Sequence, residues 1–148
     1  MHDLSSRIMK LSTKGRYAIR AMLDLALQPG DSPTMVKDIS ERQGISLLYL
    51  EQLFARLNNA GLVRSIRGPK GGFILTKPPS QTRISDILQI MEGSTAPVEC
   101  VDNAMLCSRA GSCATRKVWI DVKEAMDEVL ESTTLQDLVR QDIQYQLR

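Results

Sequence analysis

Three cysteines, Cys100, Cys107 and Cys113, fall within fourteen residues, and the rest of the 148-residue chain holds none. The opening MHDLSSRIMK has no apolar h-region and no small-residue cleavage site, so no signal peptide is expected. An odd number of thiols in that setting argues against a disulfide framework and for metal ligation or redox chemistry. Gaps of six and five residues are too wide for a two-residue zinc knuckle, and no second pair completes a four-ligand set. Three thiolates on a loop that also carries Ser108, Gly111 and Ser112 suit an iron–sulfur cluster with a fourth ligand from elsewhere. Spacing leaves open three free thiols, or a disulfide pair plus one.

A second group of residues is suited to a polyanion. Arg64, Arg67 and Lys70 lie on or beside the glycine-rich stretch RGPKGG, and Lys14 and Arg16 open an earlier helical pattern. An arginine on a hairpin tip can enter a minor groove and sense a narrowed A·T tract. Gly68, Gly71 and Gly72 would let the backbone approach phosphate closely. Ser46, Tyr49, Glu51 and Gln52 stand near the start of a segment in which Leu50, Leu53, Phe54 and Leu57 recur at core-facing spacing. A recognition helix reads base edges with its N-terminal residues, Gln52 being suited to adenine and Glu51 to the cytosine amino group. The plainer alternative is the solvated face of an ordinary amphipathic helix, and the cationic hairpin tips the balance toward double-stranded DNA. Charge is divided in the same sense: residues 1–83 carry 13 Lys and Arg against 6 Asp and Glu, and residues 84–148 carry 6 against 11, so a net of +7 adjoins a net of −5.

The elements that must position these groups follow from periodicity and caps. Ser12 and Thr13 precede a helical run with Tyr17, Ala18, Ala21, Met22, Leu25 and Ala26 on one stripe. Pro29, Gly30 and Pro33 break it. Thr34 is placed to cap a short helix, VKDISERQ, which Gly44 closes; Ser46 caps a third helix, and Gly61 suits its left-handed end. A side chain at Gly44 is expected to collide with the sharp reversal. LVRSIR, GPKGG and FILTK then read as strand, tight turn and return strand. A short helix around SDILQIME follows, then an aperiodic loop over 93–112, then a long helix from Ala114 to Glu131. Val118, Trp119, Val122, Met126, Val129 and Leu130 stripe that helix, Thr134 starts a last short one, and the tail after Gln141 is expected to fray. The fold class is therefore mainly α with a small β-hairpin. Its order, helix, turn, helix, hairpin, is that of a winged helix-turn-helix.

The stretches MKLSTKGRYAIRAMLDLAL, ISERQGISLLYLEQLFARLNNAGLV, RGPKGGF and the three-cysteine loop followed by VW resemble the Rrf-two family of winged-helix transcription regulators. Among its members they most resemble the iron–sulfur cluster regulators, over nearly all of residues 9–139. The resemblance implies a homodimer whose long helix crosses its partner, with two winged helices reading the half-sites of a palindromic operator. It implies that Ser46, Tyr49, Glu51 and Gln52 lie on the DNA-reading helix, Arg67 on the minor-groove wing, and Cys100, Cys107 and Cys113 on the cluster, 2Fe–2S being favoured over 4Fe–4S. The domain division is then 1–83 for DNA binding, 84–113 for a short helix and cofactor loop, and 114–148 for dimerisation and the C-terminal segment.

Several positions depart from the family pattern. Leu48 stands where the cluster regulators have a polar residue, and the first cysteine gap is one residue longer. Their ligand histidine, three residues after the last cysteine, is Arg116 here, and the sole histidine, His2, lies in an N-terminal extension. Relatives that borrow a carboxylate from the partner's first helix carry it where this chain has Arg16. Glu99, Asp102 or an exogenous group remain candidates for the fourth ligand. The expected function is a cytoplasmic, sequence-specific DNA-binding transcription regulator that senses iron–sulfur or redox status and is not an enzyme. No nucleophile is paired with an activating histidine, and no apolar run approaches the ~18 residues that span a bilayer. The alternatives are a DNA-binding thiol/disulfide sensor without a cluster, and a protein-interaction module with only non-specific DNA affinity.

Overall fold

The computed structural model describes residues 11–30 and 32–148, so His2 and the rest of the N-terminal extension lie outside the described residues. Three helices, α1 (Thr13–Leu27), α2 (Val36–Gln43) and α3 (Leu47–Asn59), precede a hairpin of β1 (Val63–Ile66) and β2 (Gly72–Leu75). Then come α4 (Ile84–Glu92), the one-turn α5 (Glu99–Asp102), the long α6 (Ala114–Ser132) and α7 (Leu135–Gln146). Short 3-10 turns span Pro79–Gln81 and Ala104–Leu106. The described residues are thus mainly helical with one antiparallel hairpin, in the order expected of a winged helix-turn-helix.

Local chemistry sets the helix boundaries. The Ser12 hydroxyl accepts from the Gly15 N–H at the start of α1, and the Ser46 hydroxyl accepts from the Tyr49 N–H at the start of α3. Between α2 and α3, Gly44 adopts φ 63°, a left-handed conformation that a side chain disfavours. A Cβ there would meet nothing within 4 Å, so glycine is required by the dihedral and not, as the sequence suggested, by lack of room. The Ser40 hydroxyl donates to the Ile45 carbonyl at 2.5 Å and closes the turn.

Thr34 does not cap α2. The N-cap is Met35, which makes no side-chain capping bond, and Thr34 is buried in an antiparallel bridge with Phe73 of β2. Its N–H donates to the Phe73 carbonyl at 3.0 Å and its carbonyl accepts from the Phe73 N–H at 2.8 Å. The residue that looked like a local cap is therefore a third strand position beside the hairpin, whose register is Val63↔Leu75, Arg64↔Ile74, Ser65↔Phe73 and Ile66↔Gly72. Gly72 sits at φ 148°, and a Cβ there would overlap the Thr34 carbonyl; a Cβ at Gly71 would overlap the Ile66 carbonyl. Closure of the hairpin requires Gly71 and the Thr34 bridge requires Gly72, so neither glycine is a separate sign of a phosphate.

One core joins the elements. Ala18, Met22 and Leu25 of α1 meet Ile39, Leu50, Phe54, Leu57, Val63, Ile87 and Met91, and Leu135 of α7 is fully buried among them. The C-terminal helix thus folds back onto α1. A reciprocal cap starts it: Thr134 Oγ1 accepts from the Asp137 N–H, and the Asp137 carboxylate accepts from the Thr134 N–H. Those bonds hold the Asp137 carboxyl below its ordinary range. The helix continues to Gln146, beyond the point where fraying was expected. The loop expected over 93–112 contains α5 and a 3-10 turn, the latter capped by Asn103 Oδ1 accepting from the Met105 N–H at 3.1 Å. By contrast α6 buries no residue, and Val118, Met126 and Val129 along its stripe are 52%, 42% and 62% exposed.

The strained contact at the wing yields a stability test. Gly72→Ala should cost about 2 kcal/mol, lowering the thermal midpoint by roughly 5–8 °C. Gly111→Ala should leave the midpoint unchanged, since its Cβ would meet nothing within 4 Å. Equal midpoints for the two variants would mean that the Thr34–Phe73 bridge contributes little.

Candidate nucleic-acid interface and cysteine segment

The helix-turn-helix is held from below by a buried carboxylate. Asp24 of α1 has a side chain only 4% exposed, and it accepts from Arg42 of α2 at 3.1 Å (Nε) and 2.6 Å (Nη2). Gln43 Nε2 donates to its other oxygen at 2.9 Å. Arg20 Nη2 in turn donates to the Gln43 carbonyl at 2.6 Å, in the last residue before the Gly44 turn. The hydrogen bond to Asp24 holds the Arg42 guanidinium above its ordinary pKa, against the smaller opposing effect of burial. Sequence reasoning missed this network, although a signal existed: Asp24 falls among Ala21, Met22 and Leu25 on the inward stripe of α1. An acid on a core face needs a partner.

α3 is oriented by its buried face and by aromatic contact. Leu50, Leu53, Phe54 and Leu57 are at most 2% exposed. The Tyr49 ring meets Tyr17 of α1 edge-on, with centroids 5.9 Å apart, and the Arg20 guanidinium lies over the Tyr17 ring. Of the residues expected to face DNA, Ser46, Glu51 and Gln52 are exposed and Tyr49 is half-buried by that contact. Arg64 on β1, and Arg67 and Lys70 around the hairpin tip, are exposed. Lys14 is half-buried on the first turn of α1, and Arg16 is exposed, 3.4 Å from Thr13 Oγ1. The last turn of α4 braces two of these elements. Glu92 Oε1 accepts from the N–H groups of Ser12 and Gly15 at 3.2 Å each and from the Ser12 hydroxyl, and the Ile90 carbonyl accepts from Arg56 of α3 at 2.7 Å.

The cysteines follow α4. Cys100 is half-buried on α5, Cys107 is exposed after the second 3-10 turn, and Cys113 is half-buried at the N-cap of α6. The Thr115 hydroxyl lies 3.1 Å from Cys113 Sγ and, with the Arg116 backbone N–H, holds that thiol below its ordinary pKa. Arg116 Nε donates to the Cys100 carbonyl at 3.0 Å, so this side chain ties α6 to α5. Farther along α6, Asp127 accepts from Thr95 Oγ1 and from Lys123, each at 2.5 Å. Among the described residues no group of three or more His, Cys, Asp or Glu side chains is gathered to hold a metal. The donor chemistry nonetheless fits an iron–sulfur cluster: three accessible or half-accessible thiols lie on one segment, one of them biased toward thiolate.

Two crossed helices joined through a left-handed glycine, with a cationic hairpin beside them, define a winged helix-turn-helix protein. The profile of the Rrf2 family, described as an iron-dependent transcriptional regulator, matches residues 11–141. The HTH-type transcriptional regulator CymR of Bacillus subtilis is 44% identical over 130 residues, covering 88% of this chain and 89% of that protein. The HTH-type transcriptional regulator IscR of Yersinia pseudotuberculosis is 45% identical over 136 residues, covering 91% and 82%. Among solved structures, CymR, the global cysteine regulator of B. subtilis, superposes with a TM-score of 0.77 at 42% identity, covering 90% of this chain and 98% of that one. IscR of T. potens superposes with a TM-score of 0.75 at 41% identity, covering 90% and 88%. The chain belongs to the Rrf2 family of transcription regulators. Among the described residues no helix is long and apolar enough to cross a membrane.

The ion pair beneath the turn should respond unequally to its two truncations. Arg42→Ala strands a carboxylate that is 4% exposed and should cost about 3 kcal/mol, whereas Asp24→Ala frees a guanidinium already 41% exposed and should cost about 1 kcal/mol. Urea denaturation of both variants reads the difference; the reverse order would remove Asp24 as the buried anchor.

Proposed function

We propose that this protein is a cytoplasmic, homodimeric regulator that binds a palindromic DNA operator in a sequence-specific manner and has no catalytic role. Residues 1–83 grip the duplex, 84–113 carry the sensor, and 114–148 pair the subunits, with α7 bracing α1. α3 enters the major groove with Ser46, Tyr49, Glu51 and Gln52. Arg67 enters the adjacent minor groove, while Lys14, Arg16, Arg64 and Lys70 engage phosphates. The observation that carries this reading is the outward presentation of Glu51 and Gln52 on a helix whose opposite face is sealed in the core. The exposed apolar stripe of α6 supports pairing of two copies, since such a surface gains by burial.

Cys100, Cys107 and Cys113 would hold an iron–sulfur cluster, 2Fe–2S in this reading, through their thiolates; when bound it supplies oxygen- and redox-labile chemistry. A different DNA affinity for the two states of the segment is all that regulation requires. Arg67→Ala should weaken binding by about 1–2 kcal/mol, roughly 5- to 30-fold, and erase preference for A·T pairs at the wing contact. Unaltered affinity in a folded variant would take the wing out of the mechanism. For the sensor, anaerobic reconstitution should give brown protein containing iron and sulfide, and Cys107→Ala should abolish the colour. Protein that remains colourless and free of both would reject the cluster.

A second reading is a thiol sensor that keeps the DNA contacts. It is favoured by Arg116, which stands where the cluster regulators have a ligand histidine and bonds the Cys100 backbone carbonyl, and by the equal similarity to CymR. A reversible loss of two hydrogens on oxidation, by mass spectrometry of metal-free protein, is its signature.

A further inference from the structure

Leu48 does not follow the packing of the helix that carries it. It is 67% exposed on the first turn of α3, whereas Leu50, Leu53 and Leu57 are 0%, 2% and 0% exposed. A lone leucine in water is unremarkable on most surfaces. Its neighbours make this one different. Positions 48, 51 and 52 are related as i, i+3 and i+4, so Leu48 shares the outward face of α3 with Glu51 and Gln52. These two side chains end in hydrogen-bonding heads suited to base edges, and Leu48 offers an apolar surface beside them. It stands within the first helical turn after the Ser46 cap, the part of a recognition helix that reaches deepest into a groove.

The major-groove floor presents hydrogen-bond donors and acceptors on every base pair and one distinctive apolar group, the C5-methyl of thymine. Facing an amino group or a carbonyl oxygen, a leucine would leave that polar atom unpaired in a desolvated contact; facing a methyl, it gains by burial. We propose that Leu48 is a specificity-determining residue, packing on the C5-methyl of one thymine in each half-site, next to the bases addressed by Glu51 and Gln52. Cytosine, which lacks the methyl, is rejected at that position. The inference rests on the proposed seating of α3 in the major groove.

The test uses the full chain and a duplex pool with a randomised core, at physiological salt, to select a preferred duplex. Each thymine of that duplex is then replaced singly by deoxyuridine, which deletes the methyl and nothing else, and affinity is read by fluorescence anisotropy. Wild type should lose about three- to tenfold at one thymine of each half-site. Leu48→Ala should be indifferent to uridine at that thymine while keeping the wild-type response elsewhere. Its thermal midpoint should hold, because the site is exposed and alanine favours helix. Wild type indifferent to every uridine, or Leu48→Ala retaining the wild-type response at every position, overturns the assignment to Leu48 while leaving sequence-specific binding intact. A pool that yields no preferred duplex overturns the sequence-specific reading itself, and Leu48 with it.

Discussion

The Asp24 carboxylate fixes the geometry on which the helix-turn-helix depends. It is sealed between α1 and α2, and a carboxylate in that position persists only while its oxygens are fully engaged. Arg42 and Gln43 meet that demand, and both belong to the last turn of α2, immediately before Gly44. The direction in which the chain leaves α2, and therefore the axis of α3, is referred to a charge buried against α1. Tyr17 and Tyr49 add a second bearing, and Arg20 serves both by bonding Gln43 while lying over Tyr17.

The sequence made local structure legible where local chemistry decides it. Ser12 and Ser46 are caps because their hydroxyls reach N–H groups three residues on, and the wing is legible because GPKGG admits little else. Thr34 misled because the same residue type that caps a helix also suits a strand, and its partner Phe73 is remote in the chain. The return of α7 to bury Leu135 beside α1 was equally invisible, since periodicity reports that a helix has an inner face and not what that face meets. In the site, residue types were readable and partners were not. Glu51, Gln52 and Arg67 were singled out by type and spacing and are exposed. Asp24 and the bond from Arg116 to Cys100 depend on which helices lie side by side.

The cysteine segment is not an appendage. Arg116 joins its first cysteine to α6, and Thr95 is bonded to Asp127 farther along the same helix. At its other end the segment continues from the last turn of α4, whose Ile90 carbonyl holds Arg56 of α3 and whose Glu92 caps α1. Gly15 is part of that joint, since a Cβ there would overlap the Glu92 carboxylate. The thiol-bearing turns are therefore tied to α6 by hydrogen bonds and, through the chain that continues α4, to α1 and α3, which Glu92 and Ile90 hold.

The bridge between Thr34 and Phe73 ties the hairpin to the start of the helix-turn-helix. Thr34, near the start of α2, is stitched to the return strand of the wing, while the last turn of α2, which leads through Gly44 into α3, is locked to Asp24 of α1. Hairpin and recognition helix are thus mounted on the same short bar of chain, like the jaws of a caliper set to one gauge. A partner that touched both at once would have to match the spacing they set; for a duplex, whose groove width and stiffness vary with base sequence, that match would depend on sequence.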